Sequence, residues 1–399
     1  MSILARFFNP KAQKRNASFE LLRLFATINV LIRHMKFLVF HTSQNDKEYR
    51  ALMFLHSLTS TCDNIFVIVS GYFLCTTDLR VSRLFPLIIQ NFSYSVGMYF
   101  FAISMGWSQF NWYELGRFMM PLTNGVYWFA PPFIISQIAF RPMYKGLLQL
   151  HPRYHLLLAV MVSVVAAGAT MGYGKHISQW GDGTCINLFF QFLLIGSYIR
   201  FNNVNPSMTV CILGIIITAG LHFHGMVGDF DKILGTQTVI GQLVRSDAIF
   251  APLVTLETIF LLCFCQRLQI TGLTRTIINF IADFNYGIYT CHCHGKVMYQ
   301  FTGQYSPNKH VILDHEWIHM LYGSFMIYFE CLVVEIGRSM LTNFFIINTK
   351  WYASFCEAVD NYFSPIEDKL SVAEQTEEKI DENKNAQDNT SDQKIFSPL

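Results

Sequence analysis

Apolar residues occur in long runs separated by short polar stretches. A helix needs about 20 mostly apolar residues to cross a bilayer. Ten stretches meet that pattern: 18–40, 55–75, 84–105, 126–144, 155–173, 185–201, 207–224, 248–266, 277–299 and 318–346. The pattern predicts an all-α, polytopic integral membrane protein of about ten transmembrane helices. Ten crossings return the chain to its starting side. Fourteen Lys and Arg residues fall in the loops assigned to the inner side and seven in the opposite loops, the bias expected when basic loops stay in the cytoplasm. No cleavable secretory signal is expected, because the first run begins near Phe19, is too long and lacks an A-x-A-like site after it.

The organisation expected is a basic cytoplasmic N-terminus over 1–17 and a membrane domain over 18–346. A cytoplasmic amphipathic extension over 347–364 and a tail over 365–399 follow. Nine acids and four bases between Glu367 and Lys394, with few apolar residues, predict a disordered acidic tail. The longest outer loop, 225–247, carries Gly225, Gly228, Gly235 and Gly241 and is expected to border an outward-facing site.

Composition sharpens this picture. Hydrophobic residues make up 52% and charged residues 14%, against roughly 25% charged in soluble proteins. That excludes a disordered chain, a nucleic-acid binder and an ordinary soluble enzyme. The formal charge of +2 is an average of a body at +7 and a tail at −5. The ten Cys do not form a disulfide framework in a chain this long. Cys211, Cys263, Cys265 and Cys331 lie in apolar runs, where thiols act as small hydrophobes.

Charges inside a span are expensive and usually face a cavity or the bundle interior. The first run holds Glu20, Arg23, Thr27, Arg33, His34 and Lys36. Arg23 and His34, eleven residues apart, project from nearly one helical face with a rise of about 16 Å between them. Glu20 can pair with Arg23 at i, i+3. An arginine suits a phosphate-bearing ligand, and a histidine suits proton abstraction near neutral pH. The alternative is a packing stripe, with Arg23 snorkelling and His34 bonded to a neighbouring helix.

Several ordered motifs resemble the membrane acyltransferase-3 family of cell-surface polysaccharide O-acyltransferases. The first run, Phe19-Glu-Leu-Leu-Arg23 followed after ten residues by His34, looks like its R-x10-H signature. The stretch Cys62-Asp63-Asn64-Ile65-Phe66 through Ser70-Gly71-Tyr72-Phe73-Leu74 is similar to its D-x-F-F-x-x-S-G-[FY]-x-L segment, with Ile65 where an aromatic is commoner. Arg80-x-x-Arg83-x-x-Pro86 looks like its basic turn. Tyr127-Trp128-Phe129, Gly196-x-x-x-Arg200 and Tyr286-Gly287-Ile288-Tyr289-Thr290-Cys291-His292 are later matches. Together they run from about residue 16 to 345.

The resemblance implies an acyl-CoA donor, acetyl-CoA by default, on the cytoplasmic side, and a glycan acceptor beyond the membrane. The acceptor is an exopolysaccharide, an O-antigen, a lipid-linked unit or another cell-envelope glycan. It implies a bacterial inner membrane, contact with lipid, no metal and no nucleic acid. In this reading Arg23, Arg80 and Arg83 hold the donor phosphates, with Glu20 beside Arg23 and Ser70-Gly71 near the donor. His34 is the general base, an acyl-histidine being the less favoured route.

Other roles stay open. Asp63 orients or charge-balances His34, binds sugar hydroxyls, or is structural. Ser70-Gly71 is a small-residue helix contact or a helix break; it is no nucleophile elbow, since G-x-S-x-G is absent. Trp128 walls the acyl channel, stacks on sugar or anchors at the interface. Tyr289 and His292 share a face at i, i+3, with His292 a second pathway candidate or a structural histidine. Arg200 contacts donor or anchors the helix.

Polar stripes serve transport equally well, so a transporter or flippase of a glycan precursor is the main alternative. His315-Glu316-Trp317-Ile318-His319 matches H-E-x-x-H, as zinc proteases use, but Asp314 is atypical there and Glu330 and Glu335 are unconvincing third ligands. Cys291-His292-Cys293-His294 also looks metal-like, yet consecutive helical residues point about 100° apart and do not converge on one ion.

Overall fold

The computed structural model describes residues 15–39, 46–77, 80–172, 186–229, 251–305 and 315–370. Most of the expected acidic tail, most of the 225–247 loop, Asp314 and the N-terminal residues before Arg15 lie outside the described residues, as does the Lys36 side chain. Among the described residues every regular element is helical and there is no strand.

The first apolar run forms one unbroken helix, α1 (Ala17–Val39), with Asn16 Oδ1 accepting from the Ser18 amide at 3.1 Å. Its acid in the first turn, Glu20, suits the positive end of the helix dipole. α2 (Asp46–Thr59) and α3 (Cys62–Leu74) follow with only Ser60 and Thr61 between them. The helical stretch therefore starts nine residues before the predicted boundary at 55. After the short turn Val81–Leu84 come α4 (Phe85–Ser104) and α5 (Trp112–Met119). Asn111 caps α5, its Oδ1 accepting from the Tyr113 amide at 2.8 Å.

The expected span 126–144 is instead two short helices, α6 (Ala130–Ala139) and α7 (Arg141–Gln149), joined at Phe140. Pro131 and Pro142 stand in their first turns, where a missing amide is harmless, whereas a helix continued through Pro142 would lose an internal bond. α8 (Pro152–Gly172), α9 (Ile186–Phe201), α10 (Met208–Met226) and α11 (Pro252–Arg267) are single helices.

The expected span 277–299 also divides. α12 (Gly272–Ala282) breaks at Asp283–Phe284, α13 (Asn285–His292) stops with Cys293 as its C-cap, and α14 (Met298–Gln304) is separate. Asp and Asn compete for nearby backbone groups and favour helix ends. Here the Asp283 carboxylate is also held by Arg15 at 2.5 Å. α15 (Glu316–Thr342) continues into a π-helical turn, and α16 (Lys350–Leu370) runs past the boundary expected at 364. Among the described residues three stretches, rather than the ten expected, are long and apolar enough to cross a membrane: Asp46–Leu74, Met208–Met226 and Glu316–Ile347.

The tightest crossing is between α3 and α9. A Cβ on Gly196 would lie 2.4 Å from the Ile68 carbonyl oxygen, and one on Gly71 would lie 2.7 Å from Leu193 Cα. Only glycine permits that approach. Ser70-Gly71 is thus a helix contact, and α3 passes through it unbroken, with Ser70 Oγ donating to Phe66 O at 2.7 Å. Phe19, early in α1, stacks on Tyr72, late in α3, at 5.1 Å, so these two helices are antiparallel. Arg200, at the end of α9, donates to the Tyr72 hydroxyl at 3.1 Å.

Apolar side chains fill the core and also cover much of the surface, and several polar groups are buried among them. Large apolar side chains such as Val165, Ile216, Phe329 and Val333 are exposed, while Glu20, Asn64, Glu257, His292 and Glu335 are buried. Contiguous exposed apolar surface of this kind suits contact with lipid. One buried cluster joins α4, α13 and α15. Glu335 receives Arg338 as a two-pronged partner, Nε to Oε2 at 2.6 Å and Nη2 to Oε1 at 2.7 Å. Tyr94 donates to Oε2 at 2.6 Å and Gln90 to Oε1 at 3.1 Å. A Cβ on Gly287 would lie 2.1 Å from Glu335 Cδ, so α13 rests directly against this carboxylate.

Candidate active site

Near the end of α1, His34 meets the end of α13. His34 Nδ1 lies 3.1 Å from His292 Nε2. His292 Nδ1 lies 2.7 Å from the Ile288 carbonyl oxygen in its own helix. A carbonyl only accepts, so neutral His292 carries its proton on Nδ1 and offers a lone pair at Nε2. His34 must then donate from Nδ1, which leaves its Nε2 as an acceptor. Among the described residues no group bonds that Nε2. The same logic orients the base in hydrolase triads, where a third group fixes the histidine tautomer.

Cys293 completes the cluster. Its Sγ is 3.3 Å from His292 Nε2 and 3.9 Å from His34 Nδ1. The four-residue run Cys291–His294 does not act as a unit. Cys291 contacts Cys331, and the His294 ring sits 4.7 Å from that of Phe118. Cys293, the C-cap of α13, keeps the helical bond of its amide to Tyr289 O at 3.0 Å, yet its Sγ reaches the same centre as the adjacent imidazole.

Asp63, at the start of α3, is bonded to the Cys62 side chain and interacts electrostatically with Arg33. It also lies within electrostatic reach of Cys293. The ring-nitrogen partner of His34 is His292 rather than Asp63. Arg33, named in the sequence only as one of the costly charges of the first run, thus interacts with the second motif.

Aromatic rings wall the centre. Tyr289 lies 6.2 Å from His292, 6.0 Å from Phe129 and 6.5 Å from Tyr127, centroid to centroid. Trp128 packs on Phe129 at 5.6 Å. The Tyr127-Trp128-Phe129 motif and the late Tyr289 to His292 motif are thereby brought together. Asn91 and Tyr286, bonded at 2.8 Å, back them. A separate cavity of about 390 Å³, between α8, α9 and α11, is almost wholly apolar and does not include His34.

The opposite end of α1 is cationic. Arg23 Nη1 pairs with Glu20 Oε1 at 2.8 Å, as the i, i+3 spacing predicts, and Thr27 Oγ1 donates to Arg23 O at 3.0 Å. Arg200 lies over the Tyr72 ring at 5.1 Å. Arg80 and Arg83 are exposed on the turn that follows α3. That turn is tied to α16, since Asp360 accepts from Ser82 Oγ at 2.7 Å and from the Ser82 amide at 3.1 Å. Arg23 and His34 thus share one continuous helix, with the cation at one end and the imidazole cluster toward the other.

The H-E-x-x-H match has no such setting. His315 precedes α15 with extended backbone and pairs with Glu48 at 2.6 Å, while His319 is buried inside the helix. Glu330 is engaged by Tyr305 and Gln304, and Glu335 by Arg338. Among the described residues, the groups of three or more metal-type ligands reduce to His34, His292 and Cys293.

No curated protein and no solved structure matches the chain. A family model described as an acyltransferase domain, acyltransferase 3, matches residues 16–334. That span starts just before α1 and ends inside α15, so it takes in the cationic end, the basic turn and the histidine cluster together. With apolar helices of crossing length, this chain belongs to the acyltransferase-3 family of membrane proteins.

Proposed function

We propose that this chain is a membrane O-acyltransferase. It moves a short acyl group, acetyl by family default, from cytoplasmic acyl-CoA to a hydroxyl of a cell-surface polysaccharide or its lipid-linked precursor. The observation that carries the reading is the His34–His292 pair at 3.1 Å, with His292 anchored on Ile288 O. It leaves His34 Nε2 free to accept a proton. As the acceptor oxygen attacks the thioester carbonyl, its proton passes to Nε2. The tetrahedral intermediate collapses, the carbon–sulfur bond breaks, and the proton passes on to the departing CoA thiolate. His292 is a positioning residue that fixes the tautomer.

Arg23, steadied by Glu20, takes the donor phosphates with Arg80 and Arg83 through charge-assisted hydrogen bonds. The pantetheine arm follows α1 over the rise of about 16 Å to His34. Ser70 and Gly71 serve the donor path indirectly, by keeping α3 locked to α9. Trp128 and Tyr289 flank the acyl and acceptor groups, and Asp63 balances Arg33 near the centre. The membrane domain crosses ten times in this reading, with short helix pairs such as α6–α7 and α12–α13 sharing a crossing. Both termini face the cytoplasm of a bacterial inner membrane, in keeping with the fourteen-to-seven basic bias.

The test uses membranes containing the full chain, labelled acyl-CoA and a polysaccharide acceptor. His34→Ala should lower label transfer by about 100-fold or more while expression and insertion stay normal. Persistent transfer would remove His34 as the base, and transfer without any dependence on acyl-CoA would remove the donor assignment.

A further inference from the structure

The three donor atoms at the centre are spaced as a metal ion spaces them. Zinc binds imidazole nitrogen at about 2.0–2.1 Å and thiolate sulfur at about 2.3 Å; tetrahedral angles then place two nitrogens about 3.3 Å apart and nitrogen and sulfur about 3.5 Å apart. The separations here are 3.1 Å for the nitrogens and 3.3 and 3.9 Å for the sulfur to each nitrogen. A second observation is independent of spacing. His292 Nδ1 is anchored on Ile288 O at 2.7 Å, the outer bond that metal-bound histidines carry and that aims the other lone pair at the ion.

We propose that His34 Nδ1, His292 Nε2 and Cys293 Sγ form a binding site for one borderline-soft divalent cation of the zinc type, and that the bound cation switches off acyl transfer. Three protein ligands leave a fourth coordination position for water or an anion. On binding, the Cys293 thiol loses its proton to solvent. The His34 proton moves from Nδ1, now metal-bound, to Nε2. One proton is released per ion, and nothing is oxidised or reduced. Nε2 becomes a donor and no longer accepts the acceptor's proton. The binding claim stands on geometry alone; the inhibition rests on the acyltransferase reading with His34 as base.

The experiment takes the full chain in detergent micelles, treated with chelator and then titrated with Co²⁺ and Zn²⁺. One Co²⁺ per chain should produce a thiolate-to-cobalt charge-transfer band that Zn²⁺ bleaches. Cys293→Ser should remove the band and weaken Zn²⁺ binding at least 10-fold, while Cys62→Ser keeps it. X-ray absorption of the wild-type zinc form, which needs no variant, should resolve one sulfur and two imidazoles. An ion bound only by nitrogen and oxygen, a band indifferent to Cys293, or no binding at all would overturn the site. In the transfer assay Zn²⁺ should inhibit, and the inhibitory concentration should rise at least 10-fold in Cys293→Ser, measured against that variant's own metal-free rate. Activity that is lost on chelation would overturn the inhibitory role and leave the site. A cobalt band in a chain with no acyl transfer would leave the site and remove the acyltransferase reading instead.

Discussion

Two polar clusters lie inside the same apolar bundle, and they are built in opposite ways. Around Glu335, both carboxylate oxygens are bonded, with Arg338, Tyr94 and Gln90 as donors. Around His34, each ring is oriented by one bond and the chain of bonds ends on an open nitrogen. A buried charge without its partner costs several kcal/mol, so the saturated cluster is there to hold helices. A polar chain that stops short keeps one position for something that is not protein. The contrast separates scaffold from chemistry where burial alone does not.

The largest effect that would break the contrast is on rate. His34→Ala should lower acyl transfer by about 10²–10⁴-fold, the usual worth of a general base, with little change in the melting temperature of the purified protein. A melting temperature that falls in step with the rate would make His34 scaffold too. Next is Glu335→Ala, which strands Arg338 and should cost about 3–5 kcal/mol of stability; transfer per folded molecule should fall far less than in His34→Ala. Chemical denaturation in micelles together with active-site-normalised rates checks this. A smaller loss, about 1–3 kcal/mol, is expected for Gly287→Ala, from overpacking against the same carboxylate. The same unfolding measurement reads it.

The smallest effect lies outside both clusters. Asp229, beyond α10, bonds Arg50 at 2.8 Å and His224 at 2.7 Å. The hydrogen bond from Arg50, then that from His224, lowers its carboxyl to about 2. A depressed carboxyl stabilises the fold above its unfolded value and loses that contribution as pH falls through the folded one. The difference in melting temperature between wild type and Asp229→Asn should therefore be constant above about pH 4 and shrink between about pH 4 and 2. A difference that stays constant down to about pH 2 would remove the Asp229 carboxylate as the source of this stability.

Each apolar run from 18 to 346 overlaps a helix or helix pair, although α5 lies outside every run and only three stretches among the described residues reach crossing length. Hydropathy did not find the breaks at Phe140 and Asp283–Phe284, because an average over 20 residues passes over a single joint. Pro131, Pro142 and Asp283 were the available signals. At the site, the R-x10-H spacing placed Arg23 and His34 on one helix without needing any contact. His292 was visible only as a polar residue sharing a face with Tyr289. Its approach to His34 spans 258 positions and leaves no local trace. Cys293 was dismissed because consecutive helical residues point about 100° apart, yet its Sγ still lies 3.3 Å from His292 Nε2. Glu335 was weighed only as a poor zinc ligand, since its partners come from α4 as well as its own helix.

The contact of Gly287 with Glu335 has a further consequence. Gly287 and His292 are five positions apart on α13, about 7.5 Å along the axis. With no side chain to cushion it, the backbone at Gly287 seats on the carboxylate like a shaft on a depth stop. A slip of one residue would lower the imidazole by about 1.5 Å and swing it through about 100°, out of reach of His34. The saturated cluster is therefore the gauge that sets the height of the unsaturated one.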